Sequence, residues 1–396
     1  MTWSRGMKAL TSGLASVRAS RLPGWSPKAD EHVWLDTLDD MARSRPQWRF
    51  FFCGTEMLRV LSIQSHVVHG YVGNRSAVFP LQLLGIEVDF INSVQFSNHT
   101  AYSCFKGQVL KADDLRELYS GLKANGLHRY THVLTGYVGC PGFLEAVGDI
   151  VRDLKTENPN LRYYCDPVLG DSGELYVPAE LIPVYQQKIL PLADVILPNQ
   201  FEAELLAGLS ISDEESALAC IHQLHSRFRV PTVVISSSEV SMSNGSDVKA
   251  CSVIGYASRC TEPGLKCGDF EPSVCTNHLS VAGIDPTKYE QVRFRVPRLN
   301  YEFRGTGDLF SALTLARLES PTKTGHCPTS LADALQLVLR TMQAVLRRTL
   351  SSPSVFASAN NPELPLELNL VQSVNDIISP PTTGDYVQQI GPTFRM

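Results

Sequence analysis

The 396-residue chain lacks several features that define whole classes of protein. It has no run of about 18 consecutive apolar residues, so the sequence predicts no membrane span. It has no run of basic residues, and its formal net charge of -5 disfavours general nucleic-acid binding. It also has no evident internal repeat. We therefore expect neither a membrane nor a nucleic acid among its partners.

Closely paired cysteines are also missing. The ten cysteines are scattered, and no two of them form a C-x-x-C pair. In a chain of this length without an evident secretory signal, we expect reduced thiols and a cytoplasmic location, with a nuclear location also open. Cys260, Cys267, Cys275 and His278 lie close in sequence, but their spacing matches no common zinc motif.

The first 56 residues differ in composition from the rest. Up to Asp30 they contain five basic residues and no acidic one, as in a mitochondrial transit peptide. An unstructured or artefactual extension is the alternative that we favour, because Met57 directly precedes a clear strand pattern. We predict an extension or leader at 1–56, a folded domain at 57–378 and a tail at 379–396.

Short apolar strands alternate with helical patterns after Met57. This order favours an α/β fold with a mostly parallel central sheet and helices on both faces. The strands are predicted at 58–63, 86–92, 131–135, 161–165, 194–197, 232–236 and 290–297, with a last one at 366–371. The helices are predicted at 74–84, 113–125, 141–155, 178–190, 200–226, 308–318 and 330–350. A stretch of little periodicity at 239–289 is predicted to be a surface insertion.

The stretch Gly305-Thr306-Gly307-Asp308 precedes an apolar helical pattern. The two glycines allow a tight turn with outward N–H groups, and the helix start adds positive charge. Such a turn binds a phosphate or a developing negative charge. The carboxylate of Asp308 is electrostatically out of place inside such an anion site unless it accepts a proton, which suits phosphoryl transfer to a small alcohol. An ordinary glycine turn with an incidental aspartate is the alternative.

Acidic and amide side chains follow two further strands. Asp166 and Asp171 lie five residues apart after one strand, and such a pair suits Mg²⁺. Asn199 and Glu202 begin a helix after another strand and would form a further wall of a Mg–phosphate site. A turn with solvated acids and an ordinary helix cap are the structural alternatives.

Hydroxyl groups lie at the ends of other predicted strands. Ser65 and Thr100 could hydrogen-bond a polar heteroaromatic substrate, and Tyr137 could cover its ring. Serine and threonine at strand ends also satisfy the local backbone, so each residue alone carries little weight. Because parallel strands present their carboxyl ends at one edge, we expect these groups to meet in one pocket.

Taken together, these stretches make the chain resemble the pyridoxal kinases of the ribokinase-like superfamily. The similarity extends over residues 57–376, and its motifs keep the family order. The matching runs are SIQSHVVHGYVGNRSAVFPLQLLG (62–85), NSVQFSNHT (92–100), KGQVL (106–110), VLTGY (133–137), CDPVLGD (165–171), YVP (176–178), PLADVILPNQFEAELL (191–206) and GTGDLFSAL (305–313). The resemblance implies ATP-dependent phosphorylation of the 5′-hydroxymethyl group of B6 vitamers, with Mg²⁺, a monovalent cation and a homodimer.

The resemblance also implies a role for each matching residue. Asp308 would be the base, with the Gly305–Gly307 turn as the anion hole, and Tyr176 would belong to a flap. The residues implied to contact the vitamer are Ser65, Thr100 and Tyr137. The residues implied to contact the nucleotide and its Mg²⁺ are Asp166, Asn199, Glu202, Ser236, Ser237, Leu299, Tyr301 and Thr306. Asp166 and Glu202 are the implied magnesium ligands, and Asp171 matches a ligand of K⁺ or Na⁺.

Three positions depart from the family pattern. Leu197 stands where the family often has threonine, which removes a hydroxyl beside the cation site. Arg304 stands where a small or apolar residue is usual, and it would either touch nucleotide phosphate or be exposed. Ser236 replaces a frequent threonine and keeps the hydroxyl. The loop after Asp171 is short, so flap closure is expected to differ.

Two other functions remain open at this point. Hydroxymethylpyrimidine kinases share the fold, but they usually carry cysteine where this chain has Asp308. A protein that binds pyridoxal phosphate without catalysis is the other alternative, and Leu197 and Arg304 would fit it.

Overall fold

The computed structural model describes residues 57–239, 252–261, 288–319, 330–351 and 366–390. The predicted extension at 1–56, most of the predicted insertion at 239–289 and the end of the predicted tail lie outside these ranges. Among the helices that the structure describes, none combines the length and the apolarity needed to cross a membrane.

Strands and helices alternate along the first part of the described chain. The strands are β1 (Arg59–Val67), β2 (Glu87–Phe96), β3 (Gly107–Val109), β4 (His132–Thr135), β5 (Arg162–Cys165), β6 (Gly170–Asp171), β7 (Glu174–Leu175), β8 (Val195–Ile196), β9 (Thr232–Ser238), β10 (Ser252–Cys260), β11 (Tyr289–Pro297) and β12 (Val387–Gln389). The helices are α1 (Asn74–Leu83), α2 (Ala112–Ala124), α3 (Pro141–Glu157), α4 (Leu181–Val184), α5 (Gln200–Ala207), α6 (Glu214–Phe228), α7 (Thr306–Glu319), α8 (Leu331–Leu350) and α9 (Val374–Ile378).

One large sheet organises these elements. Its strand order is β12-β11-β10-β9-β8-β5-β4-β1-β2-β3, and β6 forms a separate short hairpin with β7. The strands from β9 to β2 in this order pair in parallel. β3 is antiparallel at one edge, and β10, β11 and β12 continue the other edge in antiparallel pairs. The predicted α/β fold with a mostly parallel centre is confirmed.

The central strands are buried on both faces. Side chains alternate along a strand, so neighbouring residues enter opposite layers. In β1, Leu61 and Ile63 join one buried cluster whereas Val60 joins the other, and Tyr163 and Tyr164 of β5 divide in the same way. Helices α2 to α6 cover the first face, and α1, α7, α8 and α9 cover the second. This two-sided burial explains why the strands are almost continuously apolar.

Most predicted elements are present with small shifts at their ends. The helix predicted at 200–226 is two helices, because Gly208 takes a left-handed conformation with φ of 75° that ends α5. The helix predicted at 178–190 consists of the short α4, a π-helical turn at Tyr185–Ile189 and a 3-10 turn at Leu190–Leu192.

Two predictions near the end of the sheet were wrong. The predicted insertion contains β10, a full strand between β9 and β11. The strand predicted at 366–371 is absent: Leu366 forms one isolated bridge to Phe303, and a 3-10 turn begins at Val371. The place beside β11 is taken by β12, and the apolar side chains of Leu368 and Leu370 are buried among the helices of the second face.

Candidate active site

A cavity of about 1280 Å³ opens at the carboxyl ends of the parallel strands. This is the edge where open α/β sheets bind their ligands. Every residue that the sequence predicted for the site lines this one cavity. They are Ser65, Thr100, Tyr137, Asp166, Asp171, Tyr176, Asn199, Glu202, Ser236, Ser237, Leu299, Tyr301, Gly305, Thr306, Gly307 and Asp308.

The glycine turn before α7 is held tightly against the start of α1. Gly305 has a φ of +78°, and a Cβ atom there would lie 1.8 Å from the carbonyl oxygen of Tyr71. Only glycine fits this position, both for its backbone conformation and for the lack of space. Ser76 of α1 donates a hydrogen bond of 3.0 Å to the carbonyl oxygen of Gly305. The turn is therefore fixed from outside α7.

Asp308 lies in the first turn of α7, where the N–H groups of a helix are free to bind anions. Its carboxylate accepts hydrogen bonds from the backbone N–H of Gly73 and from its own N–H. Burial raises the pKa of Asp308 above its ordinary value, and these two hydrogen bonds oppose the shift. The result is a partly exposed carboxylate at the cavity wall with raised proton affinity.

Asp166 faces the same turn from the end of β5. A Cβ built on Gly307 would lie 3.9 Å from its Oδ2 atom. Burial raises the pKa of Asp166 well above the ordinary range, and the charges of Glu202 and Asp308 add to the effect. The hydroxyl of Ser311, one turn further along α7, donates a hydrogen bond of 2.8 Å to Oδ2 and acts in the opposite direction.

Glu202 is clamped by backbone N–H groups. Leu169 and Gly170 donate to Oε1 at 2.9 and 3.4 Å, and the N–H of Asn199 donates to Oε2 at 2.9 Å. Burial outweighs these bonds and raises the pKa of Glu202 to about 7. The Asn199 side chain accepts from the Glu202 N–H and donates to the Gly170 carbonyl at 2.8 Å. This pair therefore caps α5 and also fixes the turn that leads into β6.

The acidic groups suit a cation that is completed by other ligands. In the ranges that the structure describes, no group of three or more His, Cys, Asp or Glu side chains could hold a metal ion by itself. Mg²⁺ commonly uses one or two carboxylates together with water and phosphate oxygens, so Asp166 and Glu202 fit it. Asp171 is exposed on the hairpin, where it accepts a hydrogen bond of 2.8 Å from the N–H of Ser172. Leu197 is buried beside them and offers no side-chain oxygen.

The polar groups predicted for a ring line the same cavity. Tyr137 is half-buried, its carbonyl accepts a hydrogen bond of 2.8 Å from Ser93, and burial raises the pKa of its hydroxyl. Thr100 is exposed in the loop after β2, and Ser65 packs its backbone against Gly73. These positions are compatible with hydrogen bonds and stacking around a flat polar ring.

The structure adds residues that the sequence did not indicate. Leu339, Met342 and Leu346 of α8 line the cavity beside Leu299. The amphipathic pattern predicted α8, but nothing local in the sequence showed which wall its apolar face would form. Arg304, expected from the sequence either to touch nucleotide phosphate or to be exposed, lines the cavity, pairs with Glu302, and shares a hydrogen bond with the Tyr176 hydroxyl. Within the described residues its Nε atom is buried without a partner.

Comparison with known proteins gives consistent results. The model of the family described as Phosphomethylpyrimidine kinase matches residues 132–259. The pyridoxal kinase of Sus scrofa is 46% identical over 81% of this chain and 92% of its own. The pyridoxal kinase of Arabidopsis thaliana is 44% identical over 81% and 92%. The structure of pyridoxal kinase from Leishmania donovani in complex with ADP and pyridoxamine gives a TM-score of 0.68 at 28% identity, covering 84% of this chain and 99% of that chain.

Proposed function

This chain belongs to the pyridoxal kinase family, and on that basis we propose a catalytic or binding role for each residue of the site. The chain is an ATP-dependent kinase that phosphorylates the 5′-hydroxymethyl group of pyridoxal, pyridoxine and pyridoxamine. The observation that carries the assignment of roles is the position of Asp308. Its carboxylate lies at the amino end of α7, in a cavity that also holds two buried carboxyl groups.

Asp308 is the base that accepts the proton of the hydroxymethyl group. The hydroxymethyl oxygen then bonds to the γ-phosphorus, the bond to the bridging oxygen breaks, and ADP leaves with both electrons of that bond. Burial supports this role, because it raises the pKa of Asp308 towards the range in which a carboxylate exchanges protons efficiently. The hydrogen bond from Gly73 supports it as well, since it holds the carboxylate in one orientation.

The turn Gly305-Thr306-Gly307 receives the transferring phosphoryl group. Its N–H groups and the amino end of α7 stabilise the negative charge that spreads over the phosphoryl oxygens. Phosphoryl transfer depends mainly on such positioning and charge neutralisation, so a rigid turn is an advantage. The contact of Gly305 with Tyr71 and its bond to Ser76 support this rigidity.

Asp166 and Glu202 hold Mg²⁺ together with the nucleotide phosphates, and Asn199 keeps Glu202 in place. The ion supplies charge neutralisation for the phosphoryl oxygens. The raised pKa values of Asp166 and Glu202 support the assignment, because a divalent cation relieves the cost of two buried carboxylates. Asp171 contacts a monovalent cation, K⁺ or Na⁺. Leu197 has no side-chain oxygen, so a backbone carbonyl would have to bind the monovalent cation in its place.

The remaining positions bind the two substrates. Ser65 and Thr100 hydrogen-bond the vitamer ring, and Tyr137 stacks near it. Tyr176, on the short β6–β7 hairpin, closes over the site. The nucleotide lies against Ser236, Ser237, Thr306, Leu299 and Tyr301. All these residues line one cavity, which supports a shared site in which the two substrates lie side by side.

Measurement of ADP release with Mg-ATP tests the function directly. Pyridoxal, hydroxymethylpyrimidine and ribose are offered to the purified full chain under the same conditions. We expect turnover with pyridoxal and at least 100-fold slower turnover with the other two, as is typical when a site loses hydrogen-bond partners. Preference for hydroxymethylpyrimidine would instead assign the chain to that activity.

The chain is also proposed to form a homodimer. Exposed apolar side chains near the β2–β3 edge support this, among them Phe90, Val109 and Leu118. Exposed apolar groups of this kind often mark protein interfaces. Light scattering after size exclusion should give twice the mass of the chain, and Val109→Lys should shift it to the monomer. A wild-type monomer would contradict the proposal.

A cytoplasmic location is proposed as well. The described cysteines Cys104, Cys140, Cys165, Cys220 and Cys260 are free thiols, as expected in a reducing compartment. Imaging of the full chain with a C-terminal fluorescent tag should show a cytoplasmic signal, and a chain that starts at Met57 should be folded and fully active. A mitochondrial signal that disappears in the shorter chain would make residues 1–56 a transit peptide.

A further inference from the structure

Glu367 lies outside the machinery described so far, yet it contacts two segments that carry that machinery, the loop after β2 and residues 70–73. It follows Leu366, whose bridge to Phe303 anchors it beside the glycine turn. Its side chain is mostly buried, with 19% of its surface exposed. A carboxylate in such a place is stable only when it is well hydrogen-bonded.

The carboxylate accepts two hydrogen bonds and has a third close polar contact, with the ring of His99. His99 Nε2 and the hydroxyl of Tyr102 both lie 3.0 Å from Oε1, and the N–H of Tyr71 donates to Oε2 at 3.0 Å. Burial alone would raise the pKa of Glu367, but its partners outweigh burial and lower it. Burial and the same carboxylate raise the pKa of Tyr102 to about 12, so its hydroxyl remains a donor. Glu367 therefore stays ionised, with Tyr71 and Tyr102 donating to it and His99 Nε2 within ion-pair distance.

On one side, these bonds fix the loop after β2. The N–H of Ala101 donates to His99 Nδ1 at 3.3 Å, which leaves the ring proton on Nε2 to face Glu367. The rings of His99 and Tyr102 also pack against each other, with centroids 4.7 Å apart. Thr100 lies between the two anchored residues, and it lines the cavity. The carboxylate thus determines where Thr100 is presented.

On the other side, the bond to Tyr71 reaches the catalytic turn. The carbonyl of Tyr71 is in close contact with Gly305, and Gly73 donates its N–H to Asp308. A Cβ atom on Gly70 would lie 2.3 Å from Oε2 of Glu367, so the backbone at Gly70 packs directly against the carboxylate. The segment 70–73 is therefore held between Glu367 and the residues that carry out the chemistry.

We propose that Glu367 is a positioning residue for the vitamer: one carboxylate aligns the loop that presents Thr100 with the segment that orients Asp308. The inference rests on the proposed roles of Thr100 and Asp308. It assigns to Glu367 an effect mainly on the vitamer and on the chemical step and little on the nucleotide, because no proposed nucleotide contact is among the bonded partners of Glu367.

The test compares Glu367→Gln with Asp376→Asn. Glutamine keeps the size of the side chain but lacks the negative charge that strengthens the contacts with Tyr71, Tyr102 and His99. Asp376 is a matched control, because it lies in the same C-terminal region, pairs with Arg348 at 2.7 Å and is 16% exposed. Calorimetry measures the Kd of pyridoxine and of ADP for each purified full chain, and kinetics measure kcat and KM. Hydrogen exchange is followed in peptides covering 69–73 and 97–106.

We expect Glu367→Gln to weaken pyridoxine binding about 10-fold, the effect of losing one charge-assisted hydrogen bond. Its ADP affinity should stay within about twofold of wild type. Both peptides should exchange faster, whereas Asp376→Asn should leave affinities and exchange unchanged. Unchanged pyridoxine affinity in Glu367→Gln would overturn the proposal, and so would equal weakening of both ligands. If the wild type phosphorylates no B6 vitamer, the proposed function fails instead, and the two failures are distinguishable.

Discussion

The hydroxyl of Ser311 lies 2.8 Å from the Oδ2 atom of Asp166, so α7 contacts a proposed metal carboxylate one turn after it presents Asp308. The bond favours the ionised form of Asp166, whose pKa is otherwise raised by burial and by Glu202. One helix therefore adjusts both the proposed base and the proposed ion site. A substitution of Ser311 should therefore change the affinity for Mg²⁺ more than it changes the affinity for the alcohol substrate.

Ser311→Ala removes that donor and should raise the pKa of Asp166 further. Because one hydrogen bond contributes about 1 kcal/mol, we expect the apparent affinity for free Mg²⁺ to fall about fivefold. Rates as a function of free Mg²⁺ at saturating ATP measure this effect. Thr314→Val is the control, since this buried hydroxyl on the next turn of α7 has no hydrogen-bond partner among the described residues. An unchanged Mg²⁺ dependence in Ser311→Ala would show that Asp166 does not hold the ion.

Asp308→Asn keeps the shape of the side chain and removes its ability to accept a proton. We expect kcat to fall by about 10² to 10⁴, the usual range for loss of a general base. ADP should bind with nearly wild-type affinity, as measured by calorimetry. Asp333→Asn, in the first turn of α8, serves as the control for loss of an acid near a helix start. A mutant that turns over at the wild-type rate would exclude Asp308 as the base.

Gly305→Ala should damage both stability and activity. The left-handed backbone alone costs about 1 to 2 kcal/mol for other residues, and the new Cβ would meet the Tyr71 carbonyl oxygen at 1.8 Å. Thermal unfolding and turnover are the measurements. Gly121→Ala in α2 is the matched control, because no atom lies within 4 Å of a Cβ there. That control should be neutral or stabilising by up to about 1 kcal/mol. Equal melting temperatures for the two variants would contradict the geometry.

The stability of the metal-free chain should fall as pH rises. Burial raises the pKa of Glu202 from 4.5 to about 7, so between these values the folded chain binds more protons than the unfolded chain. The free energy of unfolding then decreases with pH, by up to about 3 kcal/mol over this window. The raised pKa of Asp166 acts in the same direction.

Urea unfolding at several pH values, without divalent cations, measures this slope. Glu202→Gln should reduce it, because glutamine does not ionise. Saturating Mg-ATP should restore stability above neutral pH, since it compensates the buried charges. Stability that increases through this window in the metal-free wild type would contradict the burial of the two carboxyl groups.

Arg304→Val tests the most unusual residue of the cavity. Its guanidinium adjoins the glycine turn, and we expect it to contact nucleotide phosphate through the buried Nε atom. The KM for ATP should rise about 10-fold while the KM for pyridoxal changes little. Arg152→Ala provides the control, because this exposed arginine also pairs with a nearby acid, Asp149, at 3.0 Å. An equal change in both KM values would indicate a general effect on the hairpin through Tyr176.

The sequence predicts which residues come together in the cavity where its information is local. Asp166, Asn199 and the turn at Gly305 each follow or precede a recognisable element, and parallel strands bring such ends to one edge. The same logic fails for Glu367, which pairs with His99 across 268 positions and lies in a run that looks like a strand. The sequence pattern describes burial, and burial of Leu368 and Leu370 in a coil produces the same pattern as burial in a strand.

The edges of the sheet were the other part that the sequence did not predict. β3 and β12 have three residues each, too few for a periodic signal. β10 is longer, but Gly255 and Ser258 interrupt its apolar pattern. Its position depends on pairing with β9 and β11, which is not encoded within the segment itself.

The far end of α7 is also anchored. Glu319, the last residue of α7, binds Arg162 at 2.7 Å and Tyr164, both in the central strand β5, about 20 Å along the helix from the catalytic turn. Because α7 is held at both ends, we expect it to be rigid. Asp308 then moves little when substrates bind. We expect the motion that admits the vitamer and releases the product in the β6–β7 hairpin instead, because this hairpin is short and mostly exposed. An inhibitor that binds this hairpin and prevents its movement would therefore block turnover without contacting Asp308.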